Sequence, residues 1–449
     1  MILMKKYIIA MVCAAFAAVM LCVGVGADTV ASGECGADGD NLTWVLDDAG
    51  TLTISGEGEM EEWSLSSKVP WNSYRSEIKT AIIGNSITNI SRSAFEDCSS
   101  LTHVIIGNSV TNIGRWAFDD CTSLTNVYIT DLEVWCNIEY ANSSSHPLNS
   151  NGGNLYVDGV LATDIVIPDS VVAIGEYAFY KCRRLSSVTI SDGVMSIGAA
   201  TFYECSGLIS VIIPDSVTII GDYAFYECSS LANVTIPDGV TSVGKFTFAG
   251  CSNMTSVTMP DGTTNIGEYA FANCRSLTSV NVPGSVTSIG SSAFFRCYKL
   301  SSITISRGII SIGDDSFSGC VSFKKAVVYS PTVVWGTDVF STTHADFTIH
   351  GYVGSTAQTY AETNSHPFKA LVEDSGIHGD ATGDGKTNPL DLVYFQRYLS
   401  NWDGYDETKV CTAALDLNLD GRADAADATI LARHIAKWIG YETLPYTPA

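Results

Sequence analysis

The C-terminal part of the sequence contains two acidic segments whose spacing is suited to binding a metal ion. They read DATGDGKTNPLD from Asp380 and DLNLDGRADAAD from Asp416. Each places oxygen-bearing side chains at loop positions 1, 3, 5, 9 and 12 and a glycine at position 6, as calcium loops do. Calcium takes about six to eight oxygen ligands around a sharply curved backbone, where glycine turns most easily. Because two such segments occur in tandem, the sequence predicts two bound calcium ions.

The predicted ligands are side-chain oxygens, except at position 7, where the ligand is a backbone carbonyl. In the first loop they are Asp380, Thr382, Asp384, Lys386, Asn388 and Asp391, with the turn at Gly385. In the second loop they are Asp416, Asn418, Asp420, Arg422, Asp424 and Asp427, with the turn at Gly421. An amphipathic helix is predicted after each loop, over 392–399 and 428–439, and neither loop is preceded by the entering helix of an EF-hand.

This duplicated loop-plus-helix pattern, with aspartate at position 12 of both loops, resembles a dockerin over about residues 379–444. Dockerins attach secreted proteins to cohesin modules of cellulosome-type scaffoldins, so the resemblance implies a cohesin as partner. Thr382 departs from the asparagine that is usual at its position, which implies a weaker first calcium site. By position, the resemblance implies cohesin contacts at Pro389, Leu390, Gln396, Arg397, Ala425, Ala426, Arg433 and Lys437.

Upstream of this module the sequence repeats itself every 23 residues. The repeat is marked by Phe95, Phe118, Phe179, Phe202, Phe225, Phe248, Phe271, Phe294, Phe317 and Phe340, with one longer interval after the second. A cysteine follows every one but the last by three residues, at Cys98, Cys121, Cys182, Cys205, Cys228, Cys251, Cys274, Cys297 and Cys320. A period this strict indicates a repeat architecture.

One copy of the repeat shows how such a unit could fold. Val211 and Ile213 alternate as in a short strand, and Ala224, Phe225 and Cys228 are spaced as one face of a helical turn. Such a unit cannot bury its apolar edge alone, whereas stacked copies can. The sequence therefore predicts a solenoid with an internal ladder of cysteines.

Other segments are predicted to cap or interrupt the solenoid. NLTWVLDDAGTLTISGEGEM forms two alternating runs and predicts an N-terminal hairpin, and 355–364 predicts a short capping helix. The long interval predicts an irregular coil with a hairpin whose strands are 155–157 and 165–167.

The phrase IPDSVTIIGDYAFYECSSL and its siblings resemble the BspA-like leucine-rich repeat proteins of bacterial surfaces over roughly residues 35–371. The resemblance implies an adhesin or binding scaffold and no single ligand. The predicted fold class is an α/β repeat solenoid of leucine-rich repeat type, with a short strand and a helical turn per coil, followed by a small all-α dockerin.

The first residues predict export, because Lys5 and Lys6 precede an apolar run that ends in a small-residue site. A lipid anchor on Cys22 is the alternative, but Leu21 stands where a small residue is needed. The predicted boundaries are a signal peptide at 1–27, an N-terminal cap at 28–77, the solenoid at 78–345 with its insertion near 130–167, a C-terminal cap at 346–372, a linker at 373–378 and the dockerin at 379–449.

A formal net charge of -24 argues against nucleic acid or an anionic membrane surface as partner. Catalysis requires a nucleophile, a base and an orienting group in one cleft. The seven histidines are scattered, and the repeat cysteines are predicted to be buried, unpaired thiols. The sequence therefore predicts that the protein is not an enzyme, and an uncharacterised hydrolase is a remote alternative.

Two sets of surface positions could bind a ligand. The outward strand positions are small and polar, at Thr189, Thr235, Thr258, Asn281 and Thr304. A possible aromatic stripe consists of Tyr177, Tyr180, Tyr203, Tyr223, Tyr226, Phe246, Tyr269 and Phe295. These rings could stack on sugars or merely pack on one another, and the second interpretation is favoured. The predicted function is a secreted scaffold anchored to a cohesin-bearing complex, with a polysaccharide-binding subunit as the alternative.

Overall fold

The computed structural model describes residues 27–371, 381, 387, 389–400, 415, 417 and 423–435. The predicted signal peptide and linker lie outside these residues. The chain divides into two compact units, Met1–Gly239 with Gly244–Met254, and Val240–Val243 with Thr255–Ala449. In the described part of the chain, no helix combines the length and the hydrophobicity needed to cross a membrane.

The first unit opens with three antiparallel strands, β1 (Thr29–Gly36), β2 (Gly39–Asp47) and β3 (Thr51–Gly56). The predicted hairpin is confirmed by β2 and β3, which are joined by a turn with Gly50 at a φ of 86°. A hydrogen bond from the Thr51 N–H to Asp47 Oδ1 (2.8 Å) closes that turn. Strand β1 was not predicted.

The coils and the insertion of the first unit contribute short strands, most of which pair in parallel with the equivalent strands of neighbouring coils. They are β4 (Thr80–Ile83), β5 (Asn89–Ile90), β6 (His103–Ile105), β7 (Asn112–Ile113), β8 (Asn126–Ile129), β9 (Glu139–Tyr140), β10 (Asn154–Val157), β11 (Val160–Leu161), β12 (Asp164–Val166), β13 (Ala173–Ile174), β14 (Ser187–Thr189), β15 (Ser196–Ile197), β16 (Ser210–Ile212), β17 (Ile219–Ile220) and β18 (Asn233–Thr235). Most paired residues differ by one repeat, as Val188 and Val211 do. The predicted repeat solenoid with stacked coils is therefore confirmed.

The insertion in the first unit differs from its prediction. The predicted pairing of 155–157 with 165–167 is wrong, because β10 pairs antiparallel with β11 whereas β12 pairs in parallel with β14 of the next coil. The sharp connection is Asp158–Gly159, with φ values of 50° and 74° that suit a two-residue hairpin turn. The insertion also contains helix α1 (Leu132–Cys136), which is capped by the Asp131 side chain.

The coils of the second unit repeat the same pattern. Their strands are β19 (Ser242–Val243), β20 (Ser256–Thr258), β21 (Asn265–Ile266), β22 (Ser288–Ile289), β23 (Ser302–Ile305), β24 (Ser311–Ile312), β25 (Lys325–Val328), β26 (Val334–Trp335), β27 (Thr348–Gly351) and β28 (Phe368–Ala370). The predicted capping helix is confirmed as α2 (Thr356–Thr363), with Ser355 and Asn364 as its cap residues. The same unit contains α3 (Pro389–Leu399) and α4 (Ala425–Ile435).

The predicted helical turn of each coil is wrong. In the coil of Phe225, Tyr223 and Glu227 adopt left-handed φ values of 60° and 54°. The N–H groups of Tyr223, Phe225 and Glu227 donate to carbonyls of the next coil at 2.7–2.9 Å. Alternate N–H groups therefore bond between coils, and the i→i+4 bonds of an α-helix do not form. Equivalent left-handed pairs recur in both units, for example at Tyr177 and Lys181.

Two buried tryptophans in the first unit pack against the coils at which the regular repeat begins and, after the insertion, resumes. Trp71 Nε1 donates to the Ala94 carbonyl, and Trp135 Nε1 donates to the Ala178 carbonyl, both at 2.7 Å. Each acceptor immediately precedes a repeat phenylalanine. The indole fills apolar space while its N–H satisfies a buried carbonyl, and leaving such a carbonyl without a donor would cost about 1–3 kcal/mol.

The core of each unit is built around the repeat phenylalanines and cysteines. In the first unit, the ring centroids of Phe202 and Phe225 are 5.3 Å apart with nearly parallel planes. The repeat cysteines are buried and form no disulfide, and most donate to a phenylalanine carbonyl of the preceding coil, as Cys228 Sγ does to Phe202 at 3.1 Å.

We expect these thiols to be unreactive in the folded protein and fully reactive once it unfolds. Burial raises the pKa of Cys98 and of Cys182 to about 12, so both stay protonated at neutral pH. Alkylation with iodoacetamide before and after denaturation in guanidinium, followed by mass spectrometry, measures the difference. Disulfide-linked pairs of repeat-cysteine peptides in a non-reduced digest would contradict this expectation.

Candidate functional site

The two acidic loops end in buried carboxylates at the starts of two helices. Asp391 and Asp427, at position 12 of the loops, lie in the first turns of α3 and α4 and are fully buried. Asp427 Oδ1 accepts the Leu417 N–H at 2.8 Å, and its Oδ2 accepts the Asp424 N–H at 2.9 Å. This one carboxylate therefore ties positions 2, 9 and 12 of the second loop together.

A small hydrophobic core holds the two helices and the loops against each other. It consists of Ala381, Phe395, Leu415, Leu417, Ile430 and Leu431. Ala381 and Leu417 occupy position 2 of their loops, so each loop contributes one apolar residue to this core. Its symmetry matches the duplicated pattern read from the sequence and positions both loops beside helix N-termini.

The described residues fit calcium as far as they extend. A fully buried carboxylate is costly unless a cation or several donors compensate its charge, and calcium is a hard cation that prefers carboxylate oxygens. The other predicted ligands lie outside the described residues, namely Asp380, Thr382, Asp384, Lys386, Asn388, Asp416, Asn418, Asp420 and Arg422. Within the described ranges no group of three or more His, Cys, Asp or Glu could hold a metal ion, so the complete ligand sets stay a prediction.

Some of the predicted cohesin contacts lie on accessible surface. Pro389 and Gln396 are exposed, and the Leu390 side chain is 50% exposed although it is aliphatic. Gln396 and Ala425 line one groove between α3 and α4, so the structure brings together residues from both halves of the module. Arg397 is partly exposed. The side chains of Ala426, Arg433 and Lys437 are not among those that the structure describes.

The outward strand positions include aromatic residues that the sequence analysis missed. Thr235, Thr258 and Thr304 are exposed, as predicted. In the first unit, however, the rings of Tyr128 and Tyr156 stack at 4.6 Å, and His103 lies 6.0 Å from Tyr128. The insertion separates Tyr128 from Tyr156 by 28 residues, so a search at the regular period could not align them.

The predicted aromatic stripe forms two rows whose rings largely cover one another. The first row stands one residue after the repeat phenylalanine, and Tyr180, Tyr203 and Tyr226 stack at 4.8 and 4.7 Å. The second row stands two residues before it, and Tyr223 stacks on Phe246 at 4.8 Å. These rings therefore pack on one another between coils, whereas their role in ligand binding stays untested. In the second unit, the Arg296 guanidinium lies 4.8 Å from the Phe295 ring, and Tyr269 is partly buried.

Two family profiles match the sequence. The profile described as BspA type leucine rich repeat region matches six copies over residues 72–147, 154–246 and 218–346. The profile of the dockerin type I domain matches residues 378–436. No curated protein matches the chain.

Several solved structures are similar to this chain. A leucine rich cell surface protein from Faecalibacterium prausnitzii A2-165 is 24% identical, with 74% of this chain and 98% of that chain covered and a TM-score of 0.43. A leucine-rich repeat protein from Eubacterium ventriosum ATCC 27560 is 23% identical, with 64% and 95% covered and a TM-score of 0.40. One from Bacteroides ovatus ATCC 8483 is 20% identical, with 74% and 98% covered and a TM-score of 0.44.

Proposed function

We propose that this chain, which belongs to the BspA-type leucine-rich repeat family and carries a C-terminal dockerin type I domain, is a secreted, non-catalytic binding protein anchored to a cohesin-bearing complex. The observation that carries the proposal is the combination, in one chain, of a repeat array with a module whose position-12 carboxylates are both buried. Dockerins bind cohesins, and the repeat array supplies a separate ligand surface. The proposed location is outside the cell.

Calcium is the proposed cofactor, with one ion in each loop. Asp391 and Asp427 would hold these ions together with the predicted ligands of the same loops, and the ions would offset the repulsion among the clustered carboxylates. Asp427 also accepts the Leu417 and Asp424 N–H groups, so the ligand at position 12 would link its ion to positions 2 and 9 of the same loop.

The non-catalytic part of the proposal rests on the burial of the repeat thiols. Burial raises the pKa of Cys98 and of Cys182 to about 12, and a buried protonated thiol is neither accessible nor nucleophilic. Turnover of a polysaccharide or peptide by the array, abolished by one substitution, would contradict this part.

Docking is tested with the mature chain and a panel of type I cohesins, by isothermal titration calorimetry in calcium and in excess chelator. We expect binding only in calcium. Leu390→Ser is expected to weaken cohesin binding about tenfold or more, because it removes an exposed apolar contact at the proposed interface. Calcium affinity should not change.

Val393→Ser is the matched control, because Val393 lies on the same helix, is 37% exposed and is not a proposed contact. Its effect on cohesin affinity should be small. Equal losses for the two variants would place the interface elsewhere on the module. Calcium binding without binding to any cohesin would refute the docking assignment and leave the calcium sites standing.

A further inference from the structure

The second aromatic row of the first unit contains a gap. Its members are Tyr177, Ala200, Tyr223 and Phe246, which stand two residues before successive repeat phenylalanines. All four have left-handed φ values, between 52° and 62°. The backbone therefore presents them in the same way, and only Ala200 lacks a ring.

The gap is as wide as two ring-stacking distances. Adjacent rings of the first row stack at 4.8 and 4.7 Å, so two coil spacings place Tyr177 and Tyr223 about 9.5 Å apart. One face of Tyr223 is covered by Phe246 at 4.8 Å, and its other face looks toward Ala200. A flat ring halfway between the two tyrosines would lie within the usual centroid distance of about 4.5–7 Å from each.

The remaining sides of the gap carry both apolar and polar groups. Ala200, only 6% exposed, forms its floor. Tyr177 and Tyr223 contact the first-row ring of their own coils at 5.7 and 5.9 Å, so Tyr203 of the middle coil stands beside the gap. Glu176, one residue before Tyr177, is exposed, whereas Asp222, one residue before Tyr223, turns to the following coil and accepts the Lys245 N–H at 2.7 Å.

We propose that this slot, defined by Tyr177, Ala200 and Tyr223, binds a single pyranose ring with equatorial substituents, such as a β-linked glucosyl or xylosyl unit. Such a ring has C–H groups on both faces, which suit the two tyrosines, and hydroxyls around its edge. Tyr203 and Glu176 are the groups available to those hydroxyls. An aromatic guest would match the faces equally well but would leave the polar rim without partners.

The proposal deepens the proposed function, since it rests on the array being a ligand-binding surface, and it does not depend on the dockerin. The proposal applies to this slot and not to the rest of the aromatic stripe. Among the rings of the two rows in the first unit, Tyr223 is the most exposed, at 36%.

The test fills the slot with a ring that the backbone already accepts elsewhere in the row. Saturation-transfer NMR and calorimetry with cellohexaose and xylohexaose are run on the full mature chain. Ala200→Tyr is expected to continue the stack from Tyr177 to Tyr223, to leave the melting temperature unchanged or raised, and to weaken oligosaccharide binding at least tenfold. Tyr223→Ala, which removes one wall, should weaken it similarly.

Ser292→Tyr is the matched control. Ser292 occupies the same row position in the second unit, has a φ of 55° and is 6% exposed, but its row neighbour in the following coil is Asp315. It should leave oligosaccharide binding unchanged. Binding that survives both Ala200→Tyr and Tyr223→Ala, a lack of binding to either sugar, or tighter binding of ferulate than of either sugar would each overturn the proposal. Cohesin binding measured on the same variants reports separately on docking.

Discussion

Replacing Asp427 by alanine is expected to abolish calcium-coupled folding of the second dockerin loop and, with it, measurable cohesin binding. The substitution removes a proposed calcium ligand. It also leaves the Leu417 and Asp424 N–H groups without the acceptor that ties the loop together. Each lost buried bond to a charged group costs about 1.5–3 kcal/mol, which is a large fraction of the stability of a small module with a small core.

The measurement is calorimetry of calcium and cohesin binding, together with circular dichroism of the mature chain in calcium and in chelator. Asp215→Ala is the control, because it makes the same change of charge at an exposed turn of the repeat array. It should bind calcium and cohesin as the wild type does. An Asp427→Ala protein that retained wild-type cohesin affinity would refute the role given to this carboxylate.

Much of the fold could be predicted because the repeat period dictates parallel register. Strands one repeat apart pair residue by residue, as Ser196 and Ile219 do, and the predicted capping helix forms, with Ser355 as its N-cap. Stacked copies bury an edge that one copy leaves exposed, so the period itself implies the solenoid.

The prediction of a helical turn in each coil was wrong because residue type does not reveal which positions adopt left-handed φ values. Tyr223 and Glu227 are not residues that favour positive φ, yet both adopt it, since the bonds to the next coil offset the local strain. The prediction of the hairpin in the insertion was wrong for a different reason. Asp158–Gly159 is a strong signal for a two-residue turn, so β10 pairs with β11, the strand that directly follows the turn, and not with the more distant 165–167.

The candidate sites, like the fold, could be predicted from the sequence only in part. Loop spacing singled out Asp391 and Asp427, which are buried in the first turns of α3 and α4, and their role as calcium ligands stays a prediction. Which aromatic faces remain free depends on contacts between coils, which spacing does not show. Ala200 becomes part of a candidate binding site only because the rings of Tyr177 and Tyr223 stand on either side of it.

A buried histidine in the insertion should make the first unit sensitive to acid. His146 is fully buried and in contact with the rings of Trp135, Tyr140 and Tyr180 at 5.0–5.9 Å. Its Nδ1 accepts the Leu148 N–H at 3.1 Å, and its Nε2 has no partner of its own among the described residues. The Ala178 carbonyl nearby is already bonded to Trp135.

Burial, assisted by the charge of Lys181, lowers the pKa of His146 from 6.5 to about 3, although the Ala178 carbonyl opposes the shift. Above pH 6.5 the histidine is neutral in both the folded and the unfolded chain, and its contribution does not change with pH. Below pH 6.5 the unfolded chain takes up a proton that the folded chain does not. Stability is therefore lost by about 1.4 kcal/mol per pH unit as the pH falls toward 3.

His146→Asn isolates this contribution, because the asparagine Oδ1 can replace Nδ1 as acceptor for Leu148 but does not titrate. Between pH 7 and about pH 4.5, the wild type should lose roughly 3 kcal/mol more of its free energy of unfolding than the variant does. Urea denaturation followed by tryptophan fluorescence measures it, since Trp135 packs against the histidine ring. His344→Asn, at a half-buried histidine of the second unit, should lose stability with acid as the wild type does. If the wild type and His146→Asn lost stability in parallel, His146 would have to be protonated or solvated in the folded protein, and the buried neutral histidine would be ruled out.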